Sequence, residues 1–272
     1  MSFGVFTGIS STYTWDEGIN RDPRYKARYD VKFAPIGLTY GVDYSGFGFL
    51  LSPGIINTGQ NYHVINTVGG HEGTRKLNTK YFNLPLALKL HLIDLSFFRV
   101  SFTFGGGAAI LLKAEEWIKH NDAKFKFPVD VYPILPPDYI VEYDGVLSPS
   151  VGHYTMLDKS DFNSLQFFGF IGLRSDWHVT DIWKVSFDVR ASYSLLESRT
   201  SDYMNALANH QTLYDIDGAR RDISAHLTVG VSRYFEIDKK EKDRRQRSKG
   251  SSRKTSPKKY PWPSPKKTKP KG

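Results

Sequence analysis

The residues of this 272-residue chain best equipped for chemistry are its histidines and the polar groups beside them. His226 stands two positions from Ser224, and His91 two from Lys89, so each couple is a candidate acid–base pair. His210 and Asp215 could supply two parts of a Ser/His/acid group acting on lipid at a membrane rim, but no spacing compels a triad. His63, His71, His120, His153 and His178 are scattered, without HxH or HxxxH spacing, so no metal site is expected. There is no cysteine, which excludes thiolate metal sites, redox pairs and disulfide scaffolds. The run Gly105–Ala109 (GGGAA) lacks the lysine and the strand-to-helix setting of a phosphate loop, and close packing accounts for it. The expectation is therefore no catalytic, cofactor or metal site, and no enzyme.

The elements that carry these residues alternate with period two. From Phe82 every second residue is apolar (Phe82, Leu84, Leu86, Leu88, Leu90, Leu92), and the intervening set includes Lys89 and His91. After Ile93–Ser96 the alternation resumes with Phe98, Val100, Phe102 and Phe104 against Arg99, Ser101 and Thr103. Period two with so short a link predicts an antiparallel hairpin over Tyr81–Leu112. Similar strands are expected at Ser2–Thr14, from Ile36 to Tyr44, from Phe47 to Ile55, over Asp161–Trp177, from Trp183 to Leu195 and from Ile223 to Phe235. Pro53 has no amide hydrogen to donate, so a break in pairing is expected there. The phase over Phe167, Phe168, Phe170 and Ile171 is ambiguous.

That makes eight strands. Their links alternate between long polar segments (Trp15–Asp30, Thr58–Thr79, Lys113–Ser160, Ser198–Asp222) and turns of two to four residues. Lys113–Ser160 is expected to be the longest irregular segment, and a helical turn is expected near Tyr203–His210. Long loops at one end and short turns at the other describe an eight-stranded antiparallel up-and-down transmembrane β-barrel, with both termini in the periplasm. Mean hydropathy is −0.41, and no run approaches the roughly 20 apolar residues of a spanning helix; strands escape that test.

The polar phase chooses the side. Lys89, His91, Arg99, Lys184, Asp188, Arg190 and His226 are expected inside the barrel, as ion-pair and hydrogen-bond partners filling a narrow lumen. The apolar phase then faces lipid. Aromatic residues mark two girdles: Tyr44, Phe47, Phe97, Trp177, Trp183 and Phe235 at one end, Tyr13, Trp15, Tyr81 and Phe82 at the other. A soluble β-sandwich or lipocalin-like barrel would read the same alternation the other way round.

Net charge is +9, unevenly distributed. Residues 238–272 hold 15 Lys+Arg against 3 Asp+Glu, and the rest holds 22 against 25. The chain thus reads as a barrel over 1–237 and a disordered, basic, Pro/Lys-rich tail over 238–272. In the tail, SPKK occurs at Ser256 and again at Ser264, with Tyr260-Pro-Trp-Pro between. Such repeats also occur in nucleic-acid-binding tails, and a soluble β-protein carrying one is an alternative. On a barrel the tail is periplasmic, nucleic acid is excluded, and Lys258, Lys259, Tyr260, Trp262, Lys266 and Lys267 would contact peptidoglycan or an envelope protein. Outer-membrane lipid is the other expected partner of a monomeric barrel. Met1 runs directly into strand-like SFGVFTGIS, with no signal-peptide pattern. For an exported protein, this sequence is then expected to be mature, trimmed or begun at another start codon.

The terminal aromatic Phe235 resembles the C-terminal signal by which outer-membrane barrels are assembled, and the segment Tyr81–His91 (YFNLPLALKLH) followed by the Gly-rich strand Phe104–Leu111 resembles the PorT-type small outer-membrane barrel proteins of Bacteroidota over about Phe3–Phe235. The resemblance implies a small barrel in the cell outer membrane and, in some members, a role in protein secretion or gliding. The reading that follows is a non-enzymatic interaction or scaffold protein of the cell envelope. An outer-membrane lipid-modifying enzyme is the other alternative.

Overall fold

The computed structural model describes residues 1–65, 70–120, 153–209, 212 and 215–235, with Ala34 and His120 by backbone only, and the backbone of three short strands within 121–152. In chain order the strands are β1 (Ser2–Asp16), β2 (Tyr25–Arg28), β3 (Val31–Asp43), β4 (Phe47–Leu51), β5 (Gly54–Thr58), β6 (Asn61–Ile65), β7 (His71–Asp94) and β8 (Phe98–His120). Then come β9 (Phe125–Lys126), β10 (Tyr139–Tyr143), β11 (Val146–Pro149), β12 (Tyr154–Asp158), β13 (Leu165–His178), β14 (Trp183–Ser194) and β15 (Arg220–Tyr234). Helices α1 (Glu17–Arg21) and α2 (Ser201–Ala208) lie in the first and last long connections.

Antiparallel pairing closes on itself. It runs β1–β3, then β4 and β5 side by side with both β3 and β7, then β7–β8–β13–β14–β15 and back to β1. With β4 and β5 as two halves of one wall strand, the ring has eight staves. Among the described residues the ring itself has no first or last strand left unpaired, which is the condition for a β-structure to stand in lipid. At the seam the Met1 ammonium donates to the Phe235 carbonyl (2.9 Å), and the Phe235 amide donates to Met1 O (2.6 Å).

The break between β4 and β5 falls at Ser52–Pro53. Pro53 offers no N–H, yet its carbonyl accepts from the Leu38 amide (2.8 Å), so the stave is interrupted without being lost. Side chains then sort by parity. Phe3, Val5, Leu38, Phe49, Leu86 and Leu227 are exposed on the outside, while Lys89, Ser101, Thr103, Asp176, Lys184 and Ser186 are buried inside. In water that arrangement would be inside out. An apolar exterior around a polar lumen is the pattern of a transmembrane barrel.

Four expectations need correcting. Thr58–Thr79 is not a loop, because it holds β6 and the first third of β7, which pair with each other. Lys113–Ser160 is not irregular at its ends: β8 continues to His120, and β12 pairs with it at Tyr154↔Ile118. These extensions project past the apolar belt, where the outer face turns polar (Lys76, Asn78, Lys80) and the inner face mixes Arg75 and Glu116 with Leu77, Ala114 and Ile118, so the apolar-out alternation of a wall strand is lost. Trp15–Asp30 contains α1 and β2. Tyr81 faces inward and is buried, so it does not belong to the girdle. The residues from 236 onward, and with them the tail and its proposed contacts, lie outside the described residues.

Candidate functional site

The lumen is packed in three layers. At the end of the short turns, Asp176 accepts from Arg174 Nε (3.0 Å) and Lys184 Nζ (3.3 Å), and Asp188 accepts from Arg190 Nη2 (3.0 Å) and Arg174 Nη1 (3.4 Å). Asp43 pairs with Lys89, and lies 3.8 Å from Lys184, 3.8 Å from His91 and 3.6 Å from Arg99. Arg99, nearer the rim, also forks onto Asp94 (2.9 and 3.0 Å). Six of the seven interior positions expected from the sequence thus join this network, and Asp43, Arg174 and Asp176 complete it. Their signal was present: each lies on the polar parity of its strand.

The seventh, His226, lies one layer up. Its Nε2 is 3.0 Å from Ser224 Oγ, which is 2.6 Å from Ser192 Oγ. His226 Nδ1 has no hydrogen-bond partner among the described residues, and a nucleophile's base needs an acid there to fix tautomer and ring orientation. This couple is a packed polar contact without the parts of a relay. His91 likewise bonds Ser101 Oγ (2.9 Å) rather than Lys89. Around His226 the middle layer is mixed: Phe6, Ile56, Phe168 and Phe170 stand beside Asn83, Gln166, Ser192 and Thr228. Arg190 covers the Phe170 ring at 4.5 Å. Cavities of about 40 Å³ and 50 Å³ remain there, bordered by Ser192, Ser224, Asp222 and His226.

The third layer closes the mouth on the long-loop side. Glu116 Oε1 accepts from Arg75 Nε (2.6 Å), and Oε2 from Arg220 Nη1 (2.6 Å). Arg220 Nε donates to Asp16 (2.6 Å), whose other oxygen caps α1 at the Ile19 amide (3.0 Å). Asp215 accepts from Arg75 (2.6 Å), Arg199 (3.2 Å) and the Tyr203 hydroxyl (3.0 Å). Burial works to raise the Asp215 carboxyl, but the guanidiniums of Arg75, Arg220 and Arg199 hold it well below the usual carboxylate range. Helix α2, N-capped by Thr200, drops Tyr203 and Leu207 onto Leu77, Tyr81, Leu111 and Leu157. Sequence reasoning missed this network because Arg75, Glu116, Arg199 and Asp215 fall in stretches read as loops.

His210 lies outside the described residues, and Asp215 is committed to three arginines. On the outward extension His63 Nδ1 and His71 Nε2 are 2.9 Å apart, and His153 packs on Trp117. Among the described residues no three His, Asp or Glu side chains are grouped to hold a metal ion.

A closed eight-stave ring with an ion-paired lumen and an apolar exterior defines an outer-membrane β-barrel protein. The likeness to solved structures lies in the same class. The attachment invasion locus protein Ail of Yersinia pestis covers 85% of this chain and 97% of its own, at 7% identity and a TM-score of 0.33. OprG from Pseudomonas aeruginosa covers 87% and 96%, at 12% identity and a TM-score of 0.37. The outer membrane protease OmpT from Escherichia coli covers 86% and 96%, at 10% identity and a TM-score of 0.42. These likenesses are weak, and the assignment rests on the ring and its exterior. No protein-family model and no curated protein matches the chain.

Proposed function

We propose that this protein is a non-enzymatic scaffold of the outer membrane: a filled barrel that holds a structured platform outside the cell for a binding partner. The observation that carries the reading is the contrast between lumen and extension. Among the described residues the lumen is filled by two ionic layers and a mixed layer of aromatic and polar side chains, with interior cavities of only about 40 and 50 Å³. Strand β7 has 24 residues, against the roughly 9–11 that a tilted span needs, and its surplus pairs with β6 and β8, while β12 pairs in turn with β8. A chain that only anchored or only sealed would have little use for so long an ordered projection.

At the other face, residues 238–272 would reach into the periplasm. There their lysines suit peptidoglycan carboxylates or an acidic envelope protein, within an assembly such as one for protein secretion. The test has two arms. Purified barrel in a planar bilayer should give no stepwise conductance; steady channels would overturn the scaffold reading in favour of a pore. Crosslinking in cells, with and without residues 238–272, should lose periplasmic partners and keep external ones. An identical set in both would remove the tail from the reading.

A further inference from the structure

The wall is not equally sealed all round. Strands β13 and β14 pair without interruption from Phe168↔Ser194 to His178↔Lys184. Between β3 and β5 the ladder consists of Ile36↔Ile55 and Gly37↔Gly54, with Leu38 N–H on Pro53 O beside it. Outward of that point the two strands part. Val31–Phe33 stay with β1 (Phe33↔Ile9), and Ile56–Thr58 stay with β7 (Ile56↔Tyr81, Thr58↔Thr79). The local cause is in the sequence: Pro35 has no amide to donate, and the β1–β3 register shifts between Thr7 and Ile9 opposite it. Two side-chain bonds span the region, Lys32 Nζ to Thr58 O (2.7 Å) from β3 and Ser10 Oγ to Asn57 O (3.3 Å) from β1.

A cleft of about 440 Å³ opens there, bordered by Lys32, Phe33, Asn57, Asn78, Lys80 and Lys113. Its height on the wall follows from parity. Lys80 is the next outward residue of β7 after the lipid-facing Phe82, and Lys113 stands directly across from it on β8. The cleft therefore begins where the apolar belt ends on the long-loop side, at the headgroup layer of the outer leaflet. Phe33 is 89% exposed at its edge. Lys113 leans on the half-buried Glu115 (3.4 Å), and Lys80 has no ion pair among the described residues.

We propose that this cleft docks the phosphorylated headgroup of an outer-leaflet lipid, with Lys32, Lys80 and Lys113 on the phosphate and Phe33 along an acyl chain. The inference rests on the membrane-barrel reading. Three ammoniums, a volume within the range of about 300–1,000 Å³ typical of small-molecule sites, and an apolar flank at the right depth match a phosphomonoester lipid. The interior cavities of about 40 and 50 Å³ cannot take an acyl chain, so the lipid docks on the wall and does not pass through it.

The test uses the full chain in mixed micelles holding equal amounts of phosphatidic acid and phosphatidylcholine, with retained lipid counted by native mass spectrometry. Wild type should keep one phosphatidic acid in preference to phosphatidylcholine. The double variant Lys80→Ala/Lys113→Ala should reduce that preference about tenfold, and Arg233→Ala, at the opposite rim, should leave it intact. Equal retention by wild type and the double variant overturns the site. So does displacement of the lipid by an equal concentration of inorganic phosphate, which would mark a free-anion site. Heat-modifiable gel mobility, read on every sample, separates the two failures. A variant that shifts normally but loses selectivity supports the site, whereas a wild type that never shifts removes the barrel and the site with it.

Discussion

Gly107 and Phe168 occupy one space: a Cβ added to Gly107 would lie 2.6 Å from Phe168 Cζ and 2.5 Å from the Leu84 carbonyl oxygen. The Phe168 ring fills the lumen at a height where β8 offers no side chain. Gly107→Ala is therefore expected to destabilise the barrel by about 1–3 kcal/mol, because the ring and a wall strand must both move. Gly169→Ala, on the outer surface where an added Cβ would meet only the Gly105 carbonyl oxygen at an ordinary 3.9 Å, should leave stability unchanged. Urea titration of the heat-modifiable form in lipid vesicles measures both. Equal stability of the two variants would mean that the ring does not sit against β8.

Glu116 is the shared acceptor of Arg75 and Arg220, and all three are fully buried. Glu116→Gln leaves two guanidiniums facing a neutral amide. The expected cost is about 3–5 kcal/mol, the usual penalty for removing one partner of a buried pair. The same titration reads it. A loss near zero would show that water replaces the carboxylate and that the mouth is open.

The closure by α2 should resist acid. The Asp215 carboxyl is depressed in the folded protein, so its contribution is present in full above the unfolded value of about 3.9 and is lost only as pH falls through the lower folded value. Amide exchange of α2, corrected for intrinsic rates, should show undiminished protection from pH 7 down to about pH 4. Protection that faded between pH 7 and pH 5 would exclude Asp215 as the latch.

Ile171 is 59% exposed on the outer parity of β13, midway between Leu165 and Trp177. In lipid, Ile171→Arg should cost about 2–4 kcal/mol, the penalty for arginine at the bilayer midplane. On a soluble barrel the same change would be neutral. Stability measured in vesicles therefore separates the two environments with one substitution.

How much of this was legible in the sequence depends on what each residue faces. β3, β7 and β14 were readable because one side meets lipid and the other meets charge, so chemistry alternates with every step. The middle of β13 was not, because Phe168 and Phe170 are apolar yet turn inward, where Gly105 and Gly107 make room for them; only the partner strand reveals that. Tyr81 misled for a related reason: it is aromatic at girdle height but packs under α2. The extensions of β7 and β8 disappeared into apparent loops once their outer faces became polar and their inner faces mixed charge with Leu77, Ala114 and Ile118, and Arg75 and Glu116 disappeared with them. The lower network was found from mid-strand charges, whereas the upper one required knowing that the strands continue.

The seam between β1 and β15 joins residues more than 200 positions apart, from Ser2↔Tyr234 to Asp16↔Arg220. That pairing sets an order of events. Until the final strand arrives, the sheet is an open ribbon with two unsatisfied edges, and each bare amide or carbonyl in hydrocarbon costs several kcal/mol. A chain stopped short of β15 has no partly inserted state to rest in. Its non-local closure also places it among the slow-folding topologies. The barrel must therefore be held by a helper or at the membrane surface until its last strand is delivered, and then close in one step.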